Sequence, residues 1–136
     1  MTDFLSKYNA KFENRNDTVK IVLSEFINQI NIEWKSKGIT ALLVTSTGDL
    51  ESFITFAVHL TTPTGRNYYS YRFIEIKQPV DNEFPVTVTA FQNPPLEPVS
   101  FEIIGNFKDW LIDIMGNMRT RIIENHLSQL YEPSNK

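Results

Sequence analysis

The sequence predicts an α+β fold of two layers, in which N-terminal and C-terminal helices cover one face of an antiparallel five-stranded meander, in the order α-α-β5-α. Three observations predict it. Ile54, Phe56, Val58 and Leu60 alternate with Thr55, Ala57, His59 and Thr61; Tyr69, Tyr71 and Phe73 alternate with Tyr68, Ser70 and Arg72; Phe84, Val86, Val88 and Ala90 alternate with Pro85, Thr87 and Thr89. Successive side chains of a strand point to opposite sides, so these runs describe a sheet with one apolar and one polar face. The connections between them are short, which sets consecutive strands side by side. Apolar residues at helical spacing precede and follow the strands, and such stripes need a sheet face to cover.

Taken in order, Phe4, Leu5, Tyr8 and Phe12 share one face and predict a short helix over residues 3–12. Asp17 is the expected N-cap of the next helix, because its carboxylate can accept a bond from an orphan backbone N–H. In that helix Val19, Val22, Leu23, Phe26, Ile27, Ile30 and Trp34 make one apolar stripe. Lys35 and Lys37 suit its negative end, and Gly38 supplies a left-handed stop. The first strand covers about residues 39–45 and has apolar residues on both faces. Gly48-Asp49 turns into the second, about residues 51–61. A two-residue loop centred on Thr64-Gly65 pairs Leu60 with Tyr69, Val58 with Tyr71 and Phe56 with Phe73, all six on the core face. The fourth strand is expected over residues 84–90. Asn93-Pro94-Pro95-Leu96-Glu97-Pro98 reads as a rigid connection. Val99, Phe101 and Ile103 alternate in the fifth strand.

A single final helix is expected from the Asn106 cap to about Tyr131. Gly116 in its middle costs about 1 kcal/mol relative to alanine. At about 25 residues this helix is roughly 37 Å long, against a sheet roughly 24 Å wide. Its end, with Leu127, Leu130 and Tyr131, is therefore expected to overhang, and a homodimer through the C-terminal helix would cover it. The expected core comprises Phe26, Phe56, Val58, Tyr71, Phe73, Val86, Val88, Phe101 and Leu111.

Composition narrows the function classes. The 136 residues fit a single domain, and 41% hydrophobic content is too high for disorder. The chain has no cysteine, which removes disulfides, cysteine-ligated zinc, iron–sulfur clusters and thiol nucleophiles. No signal peptide or apolar span is visible, so a cytoplasmic location is expected and no membrane contact. The sequon Asn16-Asp17-Thr18 reads as chance in that setting. Residues 39–104 carry three basic and seven acidic side chains, a net of −4 within an overall −3. Phosphate binding needs clustered Lys and Arg, so nucleic acid is not an expected partner, whereas a basic protein is compatible.

No motif assigns an activity. His59 falls on the polar face near Ser70 and Arg72, a set that could serve acyl transfer or phosphoester cleavage. No acid is placed to orient its ring, and Ser70 lacks a nucleophile elbow. His126 has no second ligand three or four residues away, so no metal site is expected. Asp109 with Asp113, and Asp81 with Glu83, read as solvated acids. No calcium loop, phosphate loop or dinucleotide fingerprint occurs, and no cofactor is expected. Arg119 and Arg121 lie about 200° apart on a helix and make no basic stripe.

The remaining candidate is a protein-contact surface on the polar face, made of His59, Tyr68, Arg72, Ile74, Ile76, Phe91 and Glu102. Its isoleucines are more apolar than solvent requires, and Tyr and Arg are enriched at binding hot spots. In size, acidity and architecture alone the chain resembles immunity proteins and secretion chaperones. The expected function is a non-enzymatic module that captures or neutralises another protein through the acidic sheet region. The alternative is a small enzyme or ligand binder, with its site near His59, Ser70 and Arg72 or in a helix–sheet pocket.

Overall fold

The computed structural model describes residues 18–47, 53–81, 84–92 and 94–133. The helix expected over 3–12, the Asp17 cap, the sequon asparagine, the Gly48-Asp49 turn, Glu83 and Asn93 lie outside them. The described chain runs through α1 (Val19–Glu33), a 3-10 turn (Lys35–Lys37), β1 (Thr40–Thr47), β2 (Phe53–Thr64), β3 (Asn67–Pro79), β4 (Val86–Ala90), β5 (Val99–Phe101), α2 (Ile104–Met115) and α3 (Met118–Leu130). The five strands pair antiparallel in sequence order, which is the expected meander.

Thr18 caps α1, its hydroxyl accepting from the Ile21 N–H at 3.2 Å. The stripe on α1 buries Val19, Val22, Leu23, Phe26 and Ile30. Gly38 then ends the corner in the left-handed region, at φ 76°. The core lies between the helices and the inner sheet face. Phe26, Ile30, Phe107, Leu111 and Leu127 from the helices join Val58, Leu60, Phe73, Val86 and Val88 from the strands.

The β2–β3 register differs from expectation. The loop residues are Gly65 and Arg66, with Thr64 opposite Asn67, because Gly65 takes the positive φ (79°) that a type II′ hairpin needs at its first loop position. Leu60 therefore pairs with Tyr71. A β-bulge follows between Val58 and His59, opposite Ile74 and Arg72, which leaves Phe73 as the extra residue. An extra residue shifts the phase of alternation. Tyr69 and Tyr71 face inward before the bulge, and Ile74 and Ile76 face inward after it. Phe73, Ile74 and Ile76 are all 0% exposed. Ile74 and Ile76 thus belong to the core and not to the polar face.

The final helix is also two helices. Glycine is a poor helix former and asparagine a good cap, and together they break the run. Gly116 ends α2, and the Asn117 side chain accepts from the Arg119 N–H at 2.8 Å to open α3. The buried Thr120 hydroxyl donates to the Ile114 carbonyl across the break. Asn106 lies inside α2, whose flanking residue is Ile103 and has no side-chain cap. The kinked chain lays α3 back along β2, with Leu127 fully buried and Leu130 half-buried. The expected apolar overhang does not form.

The C-terminal segment is fastened to the hairpin. Glu132 donates its N–H to the Pro63 carbonyl (2.8 Å) and accepts from the Gly65 N–H (3.0 Å). The Tyr131 ring packs over Gly38, and Lys37 forms an ion pair with Glu124 of α3.

Candidate functional site

The outer sheet face carries Thr55, Ala57, His59 and Thr61 from β2, opposite Lys77, Glu75, Arg72 and Ser70 from β3. The His59 Nδ1 lies 3.3 Å from the Ser70 hydroxyl. Arg72 donates to Glu75 at 3.3 Å. Burial, and then the Arg72 charge, hold the His59 imidazole below its ordinary value of 6.5. Both favour the neutral ring. The nearby carboxylate is turned to Arg72, so the imidazole has no acid to orient it or to stabilise its charged form. A neutral histidine beside a hydroxyl on an open sheet is a weak catalytic set.

Its depressed pKa still has a consequence for stability. The unfolded chain takes up a proton at His59 at higher pH than the folded chain does. The contribution is present in full above 6.5 and is lost as the pH falls through the lower folded value. His59→Ala is expected to abolish this part of the acid sensitivity and to change stability at neutral pH by no more than about 0.5 kcal/mol. Urea melts of both proteins across the acid range check it, and an equal acid loss in the mutant would remove His59 as the source.

The expected contact surface divides in two. His59, Tyr68 and Arg72 lie on the outer face, and Glu102 is exposed at the corner between β5 and α2. Ile74, Ile76 and Phe91 are 0%, 0% and 5% exposed, so these three are not on that surface. The bulge turns the isoleucines inward, and backbone geometry turns Phe91. Nor do the described charged side chains in the paired strands of this face make it acidic: Arg72 and Lys77 stand against Glu75.

A second site lies at the opposite face, where the start of β3 meets α3. Phe91 follows β4 at φ 71°, a conformation uncommon outside glycine. Its N–H donates to the Phe73 carbonyl at 2.8 Å and its ring packs on Phe73, with centroids 5.9 Å apart. This turn sends Gln92 back over β3. The Gln92 N–H donates to the Tyr71 hydroxyl (3.1 Å), and its side-chain amide donates to the Arg72 carbonyl (3.2 Å). From α3, the Arg119 guanidinium lies over the Phe91 ring, 4.4 Å from its centre. His126 meets Tyr69 edge-on at 5.8 Å.

Tyr69, Tyr71, Gln92, Arg119, Ile122 and Ile123 enclose an open groove of about 310 Å³. Burial raises the Tyr71 phenol above its usual range, with the Gln92 bond and the Arg119 charge working against it. The phenol stays neutral and can donate a hydrogen bond into the groove. Arg119 has no ion-pair partner among the described residues. Depressions of about 360 and 260 Å³ on the outer face flank Arg72, whose charge Glu75 already engages. Arg119 is thus the better-placed cation for an incoming acceptor.

Sequence reasoning missed this groove. Its local signal is present: Arg119, Ile122, Ile123 and His126 follow i, i+3, i+4, i+7 and share one side of a helix. Asp109 and Asp113 are one turn apart on α2, and among the described residues no cluster of His, Asp or Glu has metal-site geometry. Among them, too, no helix is long and apolar enough to cross a membrane. Compared with known proteins, the chain matches no family model, no curated protein and no solved structure.

Proposed function

We propose that the protein is a non-enzymatic protein-binding module whose contact surface is the groove between β3 and α3. The observation that carries this reading is Arg119, its guanidinium over the Phe91 ring, without an acidic partner among the described residues, and beside Tyr69 and Tyr71 in the groove lining. A guanidinium already held over an aromatic ring loses less freedom on binding, and its fork of N–H donors suits a carboxylate. Tyrosine and arginine beside exposed aliphatic side chains are the residue types that dominate binding energy at interfaces. Ile122, which lines the groove, and Met118, one turn before it on α3, remain 60% and 75% exposed. That apolar rim extends past the cavity, which favours a partner larger than a small molecule. The chemistry fits a protein segment that presents a carboxylate beside an apolar side chain. The balance of charge on the outer face supplies no comparable reason for a basic partner there.

Affinity capture from the native lysate, with the tagged wild type beside Arg119→Ala and Tyr69→Ala, tests the proposal. A partner retained by wild type is expected to be weakened about tenfold or more by either substitution, with melting temperatures nearly unchanged. Equal recovery by all three proteins would move the contact elsewhere. Loss of that partner in His59→Ala alone would return the function to the outer face.

A further inference from the structure

Strand β1 is the outer edge of the sheet, with β2 on one side and no described strand on the other. Asn31 of α1 reveals which of its backbone groups point away from β2. The Asn31 side-chain amide donates to the Ala41 carbonyl at 3.2 Å, and its Oδ1 accepts from the Ala41 N–H at 2.6 Å. Both polar groups of Ala41 therefore face outward. Antiparallel ladders alternate with a period of two, so Leu43, Thr45 and Thr47 each direct a donor and an acceptor the same way.

Exposed edges are usually blunted by charge, proline or a bulge. β1 reads Thr-Ala-Leu-Leu-Val-Thr-Ser-Thr, and its pairing with β2 is unbroken. It has none of the three devices. Leu42 and Val44 beside the edge are 49% and 48% exposed.

We propose that this edge pairs with the same edge of a second copy of the chain, antiparallel about a two-fold axis at Thr45, to form one continuous sheet through both. Asn31 sets the register. With Ala41 occupied, the added strand cannot pair beyond Leu43, and β1 is described as far as Thr47. The two-fold arrangement that meets both limits puts Leu43 opposite Thr47 of the second copy and Thr45 opposite its own copy. The outward groups of all three residues then find partners, and Asn31 keeps Ala41. Centring the axis on Val44 instead would drive Thr47 of the second copy against Ala41 and Asn31. The absence of charge is what argues for a second copy. A charge near the axis would meet its like, and like charges on facing strands repel. This pairing does not depend on the groove or its partner.

Sedimentation equilibrium reads the association. The apparent mass of wild type is expected to rise from 15.8 kDa toward twice that value as concentration increases. Thr45→Lys, an exposed substitution that sets two ammonium groups face to face, is expected to stay at the monomer mass, with the melting temperature that wild type shows at dilutions where it is monomeric. The cysteine-free chain permits a register test. Opposed Cα atoms of a hydrogen-bonded antiparallel pair lie about 5.5 Å apart, within disulfide reach. Thr45→Cys should therefore cross-link into a dimer on mild oxidation, well ahead of Val44→Cys and Ser46→Cys. A wild type that remains monomeric overturns the proposal. In that monomer, slow amide exchange at Leu43, Thr45 and Thr47 would mean that another part of the chain covers the edge, and fast exchange that the edge is open to a different strand. A dimer indifferent to Thr45→Lys, or cross-linking strongest at another position, also overturns it.

Discussion

Val88→Asp is expected to lower stability by about 4 kcal/mol or more, a large share of what holds a domain of this size together. Val88 is fully buried on the central stretch of β4, opposite Ile76 on one side and Val99 on the other. A carboxylate there would lose its hydration among apolar side chains. Thr89→Asp supplies the control, because Thr89 is the next residue on the same strand and faces the other way, opposite Glu75. It should cost about 1 kcal/mol or less. Urea denaturation of the two variants measures the difference. Similar midpoints would mean that β4 presents neither face as described.

Gly38→Ala is expected to cost about 2 to 5 kcal/mol. Two effects add. A residue with a Cβ pays about 1–2 kcal/mol to hold the left-handed conformation found at φ 76°. That Cβ would also overlap the Tyr131 ring, and such overpacking costs about 1–3 kcal/mol. A double-mutant cycle separates them. In a Tyr131→Ala background the same substitution should cost only the backbone share. An undiminished cost there would sink the steric part of the account, and a near-zero cost in wild type would sink both parts.

Much of this architecture was legible because side-chain period and turn chemistry are local. The stripe from Val19 to Trp34, the inward face of β4 and the meander order all follow from residues close in sequence. The bulge was not, although a trace of it is visible. Apolar residues occupy odd positions through Tyr69, Tyr71 and Phe73, then even positions at Ile74 and Ile76. Two adjacent apolar residues mark the change of phase. Carrying the alternation straight through assigns the isoleucines to the wrong face, and the loop was set one residue early for want of the Gly65 geometry. Gly116-Asn117 likewise admits two readings, a costly helix interior or a stop followed by a cap. The buried hydroxyl of Thr120, which donates to the Ile114 carbonyl across the break, accompanies the second.

The site was less legible than the fold. His59 and Ser70 do come together as their strand positions suggested. Arg119 meets Phe91 only because Phe91 adopts a positive φ and α3 folds back after the break; the first event has no short-range signature, and Gly116-Asn117 marks the second without saying where α3 goes. Tyr69 and Tyr71 were read correctly as inward-facing. They lie beyond the well-packed part of the core, where an inward residue lines a groove instead of filling an interior.

The fastening of Glu132 to Pro63 and Gly65 joins segments 67 residues apart at their nearest, counting from Gly65. Bringing such distant points together costs chain entropy that local contacts do not, and among the described residues two backbone hydrogen bonds, the Tyr131 packing and the Lys37–Glu124 pair offset it. Contacts with that balance are expected to form late, after the hairpin and helices already hold their shapes. They then act mainly on how long the native state lasts and little on how fast it is reached. Tyr131 and Glu132 are thus expected to act as a latch on a finished structure, lengthening the lifetime of the hairpin and of the groove wall it shares with α3.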